Sequence, residues 1–274
     1  LFSSSPSSFH SEDVTIRNNT FQTKTAVNAG GVFSITSASS KNLTISNNTF
    51  LVSDSYVSAN GAGGLLNLEA SSFKSENLKF TENQVINHKL QSYSLKQSVV
   101  KYNFFTGSAS VVIVGNVSSA QIDVSCNTFL GCGKSTESIV SVAGRGVVVS
   151  GNRFVEDRAS NSPSNIISTS LARGAIYDLD VTGNTCDVTN NARWGKFFSS
   201  EEASGTRLAG VNVSGNRIAG CLSGGIIIRN TLSYPAGLGI RVSDNRISGV
   251  VSGRALDFYR CEKLVVSGNE ISQS

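Results

Sequence analysis

Three aspartates offer the most readily imagined chemistry in this chain. Asp178 and Asp180 flank Leu179 in an alternating run, so strand geometry turns both carboxylates to one outer face about 7 Å apart. Asp123 holds the position of Asp180 in an equivalent stretch two repeats earlier. Carboxylates gathered on one face can act as the acid and base of glycosidic cleavage, or hold calcium for a lyase. The competing reading makes them ordinary surface acids, satisfied by nearby Arg173 or Lys196. No HD or DD pair, GHG, R-x-K or DPH-type motif accompanies them.

Other residues suggest binding rather than catalysis. Arg153, Arg217 and Arg246 stand one residue after a recurring Asn, with Thr185 between them and Glu270 after them. Stacked, they form either an outward stripe for sulfated or uronic-acid glycans, or simply a solvated face. Trp194, beside Phe197 and Phe198, is a candidate for stacking on a sugar, with Phe197 or Phe198 in the core. N-x-[ST] sequons at Asn18, Asn42, Asn47, Asn116 and Asn212 are candidate glycosylation sites in a secreted eukaryotic protein, although an Asn- and Ser/Thr-rich repeat also generates them freely. Asn184-Thr-Cys is a weaker variant. Five Cys, at 126, 132, 186, 221 and 261, leave at least one thiol unpaired, and Cys126 and Cys132 could bridge locally. With no CxxC and only His10 and His88, no metal site is expected, and no cofactor.

The elements that must position these groups come from an internal repeat. The segments VTIRNNTF, LTISNNTF, LKFTENQV, IDVSCNTF, VVVSGNRF, LDVTGNTC, VNVSGNRI, IRVSDNRI and LVVSGNEI share Asn19, Asn48, Asn83, Asn127, Asn152, Asn184, Asn216, Asn245 and Asn269. Counted from that Asn, positions −5, −3 and +2 are apolar in all nine copies, and −2 is Ser or Thr in eight. Alternation at −5 and −3 is a strand with one buried face. Gly, Asn or Asp at −1 suits a bend of positive φ, after which +2 points inward again. An Asn at each bend can bond to backbone and to its counterparts as an internal ladder. A second strand-like segment lies in each of the eight intervals: GGVFSIT, GGLLNLE, SVVIVGN, SIVSVAG, NIISTS, KFFSS, GGIIIRN and RALDFYR. Each turn therefore has at least two strands. The longest interval, 44 residues, is expected to carry the largest projecting loop, within about Gln84–Gly107.

The expected fold is all-β: a right-handed parallel β-helix of about nine rungs with an internal Asn ladder. The alternative is a leucine-rich-repeat-like solenoid, which wants an apolar residue eight before the Asn; only Ile176, Leu208 and Cys261 supply one. Residues 1–13 read as an irregular N-terminal segment and 14–274 as a single repeat domain. The VxVSGNxI pattern resembles the parallel β-helix repeat of the pectin-lyase-like superfamily over nearly the whole chain. That superfamily includes polysaccharide lyases, glycoside hydrolases, epimerases, tailspikes and adhesins, so the resemblance implies a fold and not an activity. The GGxxxI segments, VVVSGNRF motif and Ser/Gly loops also resemble, in texture, the dispersed-gene-family surface proteins of trypanosomatids.

Composition narrows the function classes. A net charge of +4 without a Lys/Arg run gives no support for nucleic-acid binding. The longest apolar stretches, such as Val111–Val114, are strand-sized, so no membrane span is expected. The chain opens at Leu1 without a signal-like segment and stops five residues after Asn269, which fits either a segment of a longer protein or a subunit stacked end to end. The preferred expectation is an extracellular or cell-surface structural or adhesive rod. Alternatives are a polysaccharide lyase or glycoside hydrolase, and a carbohydrate-binding module.

Overall fold

The computed structural model describes residues 2–4, 9–23, 33–35, 38–52, 66–68, 74–87, 89–92, 95–107, 111–115, 119–133, 138–156, 165–169, 176–188, 195–200, 208–220, 223–229, 239–250 and 252–272. Every element among them is a strand. The strands wind as coils of a parallel β-helix, each coil adding one rung to three parallel sheets of 10, 13 and 10 strands. Three parallel sheets running through the whole stack make the fold a parallel β-helix rather than the leucine-rich-repeat-like alternative.

The residue pattern explains the three sheets. The inter-motif segments form the first, from Phe2–Ser4 to Arg254–Tyr259. Residues before the ladder Asn form the second, and the residues just after it form the third, so the apolar +2 residue lies on a strand of its own. Registers superpose like on like: Val147, Leu179, Val211 and Ile240 make one column, and Val149, Val181, Val213 and Val242 another. All eight residues are buried.

The bend at −1 has positive φ in every described coil. Gly183 and Gly215 adopt it without a Cβ penalty, while Glu82, Tyr102 and Cys126 are held there at φ 56–57° by the strands on either side. A second left-handed position, six before the Asn, was not legible in the sequence. It is occupied by Asp13, Asn42, Asn77, Gln97, Gln121, Gly146, Asp178, Gly210 and Lys263.

The ladder has ten members, because Asn103 stands between Asn83 and Asn127. The 44-residue interval thus holds two spans, of 20 and 24 residues. Gln84–Gly107 is no projecting loop. Lys89–Ser92, Leu95–Lys101 and Phe104–Thr106 complete a coil there. Its motif is disguised because −5 is Ser98 and −2 is Lys101. Buried Ser98 is tolerated because its hydroxyl donates to the Lys96 carbonyl (2.9 Å) and accepts from the Leu78 N–H (3.2 Å). At the other discrepancy, residues 1–13, Phe2–Ser4 and Phe9–Glu12 are strands paired with Phe33–Ile35 and Ala38–Lys41.

Inside, the +2 column is an aromatic stack. Phe105 lies 4.9 Å from Phe129 and Phe129 5.0 Å from Phe154, ring centre to ring centre. Where +2 is the smaller Val85, Phe80 from the −3 column fills the gap, 6.3 Å from Phe50 and 6.5 Å from Phe105. Phe197 and Phe198 are both fully buried.

Candidate functional site

Stacking turns each outward position into a column about 4.8 Å per step, so the candidate residues can be located by column. On the second sheet, Asp123, Val148, Asp180 and Asn212 succeed one another. Asp123 and Asp180 are therefore two rungs apart with Val148 between them. Asp123 is ion-paired with Lys101, Nζ to Oδ2 at 2.5 Å. That contact raises the Lys101 ammonium above its ordinary pKa, chiefly through the hydrogen bond with Asp123. Asp180 accepts from the Asn212 amide at 3.0 Å.

Asp178 is not part of this column. Its φ of 57° places it at the second left-handed bend, so the regular-strand separation from Asp180 does not apply. Its partner is Arg145, Nε to Oδ2 at 3.4 Å. Arg145 and Asn212, rather than Lys196, satisfy the acids; Arg173 lies outside the described residues. Asp123 and Asp180 thus share one column about 9.6 Å apart along it, Asp178 stands in another, and each of the three acids has a separate partner. Among the described residues no group of three His, Cys, Asp or Glu could hold a metal ion.

The arginines do come together. Arg153, Thr185, Arg217, Arg246 and Glu270 form one exposed column on the third sheet. Arg246 is paired with Glu270 at 2.8 Å, leaving Arg153 and Arg217 without an ion-pair partner among the described residues. Trp194 lies outside the described residues.

The sequons separate into two kinds. Asn18 and Asn47 are exposed at the −1 bends of adjacent rungs. Asn42 and Asn212 already use their amide nitrogens, donating to Asp13 (2.7 Å) and Asp180 (3.0 Å). Asn116 lies outside the described residues, and Asn184 is a fully buried ladder member. Cys126 and Cys132 do not bridge to each other: the first is exposed at a bend, and the second is buried with its Sγ donating to the Phe105 carbonyl at 3.3 Å.

Two charge arrangements escaped sequence reasoning. Glu12, Lys41, Glu76 and Lys96 alternate in sign up one exposed column, with Lys96 3.6 Å from Glu76. Their spacing in the chain gave no signal until the register aligned them. On the first sheet, Asp257 is buried and gripped by Arg229 and by Arg254, the latter at 3.1 Å. These guanidiniums, Arg229 foremost, hold the Asp257 carboxyl below the usual carboxylate range. No helix among the described residues is long and apolar enough to cross a membrane.

No family model matches this chain, and no curated protein does. Among solved structures it is similar to a catalytic domain of GH87 alpha-1,3-glucanase in complex with tetrasaccharides, at 11% identity and a TM-score of 0.33, covering 96% of this chain and 64% of that one. A second such domain, in complex with nigerose, gives 10% identity and a TM-score of 0.25, covering 96% of this chain and 63% of that one. The chain spans less than two thirds of those domains. At these values the likeness lends none of their site residues to this chain.

Proposed function

We propose that this chain is a non-catalytic rod of an extracellular or cell-surface structural or adhesive assembly. The observation that carries the reading is the pairing of the acids: Asp123, Asp178 and Asp180 each engage a separate partner within the stack. The coils meanwhile keep core and ladder regular from Asn19 to Asn269, as a spacer requires. Glycans at Asn18 and Asn47 fit this setting, since both side chains stand on the exposed bend. The test is incubation with acidic and neutral polysaccharides, alpha-1,3-glucan included, followed by assay of new reducing ends and unsaturated uronates. No product is expected. Degradation abolished by Asp180→Ala or Asp123→Ala would replace the reading with that of a polysaccharide-active enzyme.

A second reading, an anionic-glycan-binding face, is favoured by Arg153 and Arg217 on one column, neither with an ion-pair partner among the described residues. Retention on immobilised sulfated glycan that falls with Arg153→Ala and Arg217→Ala supports it. Retention unchanged by both removes it.

A further inference from the structure

One inner rung turns two aromatic side chains outward. Tyr102 and Phe104 flank the buried ladder residue Asn103 and are 61% and 36% exposed. Among the described residues between 14 and 250, no other large hydrophobic side chain is exposed. Tyr102 occupies the −1 bend, which is Gly, Asn or Asp in seven of the ten coils. Its φ of 57° lies in the left-handed region, which a bulky side chain enters only against a steric cost. With most of its surface in solvent, Tyr102 gains little packing in return. Backbone strain kept at an exposed position points to a use outside the fold.

The columns give this pair polar neighbours. Phe104 stands on the outer face of the third sheet, with Gln84 one rung before it, Thr128 one rung after and Arg153 one rung further. Glu82 stands at the bend one rung before Tyr102, its N–H donating to the Lys101 carbonyl at 3.1 Å. Two aromatic rings are thus bordered by a carboxylate, an amide and a hydroxyl at steps of about 4.8 Å, with a guanidinium about 9.6 Å along the column from Phe104. The platform is fixed in advance, since Asn103 between the rings donates from its N–H and its Nδ2 to Asn127 Oδ1, both at 2.9 Å.

We infer that Tyr102 and Phe104 form a stacking subsite for a sugar of an acidic glycan chain lying along the third sheet, with Arg153 holding a carboxylate or sulfate of that chain two rungs on. A pyranose ring has a face of C–H groups that packs on an aromatic ring and a rim of hydroxyls that bonds to amide, hydroxyl and carboxylate groups. Gln84 and Thr128 meet the rim of the sugar on Phe104, and Glu82 accepts from the hydroxyls beside Tyr102. Arg153, without an ion-pair partner among the described residues, supplies the charge complement for the acidic group. A protein partner fits this surface less well, because a stable interface buries about 800 Å² on each side around several apolar anchors, and only two stand here.

The inference rests on the anionic-glycan reading above, which supplies Arg153, and adds the pair that holds the sugar ring. The experiment is isothermal titration calorimetry of the 274-residue chain with three octasaccharides: hyaluronan, a heparin fragment and carboxyl-reduced hyaluronan. An acidic octasaccharide is expected to bind, and Phe104→Ala and Tyr102→Gly each weaken it roughly two- to tenfold. Hyaluronan binding identifies the acid as a uronate, and heparin binding alone identifies it as a sulfate. Arg153→Ala weakens the acidic probe and leaves any binding of the carboxyl-reduced one unchanged. Tyr102→Gly keeps or raises the urea midpoint, since glycine takes the bend freely, so its loss of binding is not a loss of fold. Binding of no probe, or binding unchanged by both Phe104→Ala and Tyr102→Gly, overturns the inference. In the second case a loss on Arg153→Ala leaves the anionic-glycan reading standing alone. Binding indifferent to Arg153→Ala ends that reading and the inference with it. Dimerisation abolished by Phe104→Ala in sedimentation velocity also overturns it, because a second copy is then the occupant.

Discussion

Replacing Asn127 by Ala tests whether the ladder holds the coils together. Asn127 is 1% exposed. Its Oδ1 accepts from the Asn103 N–H and Nδ2, both at 2.9 Å, and its Nδ2 donates to the Val100 carbonyl at 2.8 Å and to Asn152 Oδ1 at 3.0 Å. Truncation leaves two Asn103 hydrogens orphaned in a buried site and takes one donor each from Val100 and Asn152. Orphaned buried polar groups cost about 1–3 kcal/mol each, and the two acceptors retain other partners or share the loss, so about 3–5 kcal/mol is expected for Asn127→Ala. With a urea m-value near the upper end for single domains, about 3 kcal/mol per molar, the midpoint falls by roughly 1 M or more. Asn19→Ala is the control. Asn19 is exposed and, among the described residues, its Oδ1 takes no ladder donor, so about 1 kcal/mol or less is expected there. The assay is urea unfolding followed by circular dichroism, with both variants at one concentration. Equal losses at Asn127 and Asn19 would refute the claim that burial and two-sided bonding give the inner ladder its weight.

Three further outcomes follow from the packing. Val85→Phe alone overpacks the core by about 1–3 kcal/mol and Phe80→Val alone leaves a void costing about 2–4 kcal/mol, but the double variant recovers about 1 kcal/mol or more because Phe80 occupies the space that Val85 leaves; thermal or urea unfolding of the four-member cycle measures the coupling. The depressed Asp257 carboxyl contributes stability that is present above the unfolded value of about 4 and is lost as pH falls through the folded one, so Asp257→Asn should flatten the acid limb of the stability-against-pH curve while lowering stability at neutral pH. At the −1 bend, Gly183 has a φ of 61° and open space around a notional Cβ, so Gly183→Asn changes stability by about 0.5 kcal/mol or less, whereas β-branched Gly183→Val costs about 1–2 kcal/mol through backbone strain, read from the same unfolding curves.

The regular positions were legible in the sequence because each coil repeats the same demands. A column of apolar −5, −3 and +2 residues needs nothing beyond period-two alternation and a bend, and nine of ten ladder asparagines announce themselves by it. Asn103 stayed hidden because Ser98 stands where an apolar residue is expected. Its hydroxyl is acceptable only through bonds to Lys96 and Leu78, and the second of those comes from the neighbouring rung. Lys101 is hidden likewise, since its ammonium leans across to Asp123 on the next strand.

What the sequence by itself determined is the unit: an Asn-centred bend with its inward residues, which local backbone preferences and burial dictate coil by coil. The tertiary structure alone decided which outward residues are neighbours. Coils are separated by 20 to 35 residues, so the pairs Lys101–Asp123, Arg145–Asp178 and Arg229–Asp257 depend on register across rungs. Register also gathered Arg153, Arg217 and Arg246 into one column and set Asp123 and Asp180 two rungs apart in another. The physical reason is that a chain's periodicity specifies which face a side chain takes, while hydrogen bonds between rungs specify what stands beside it.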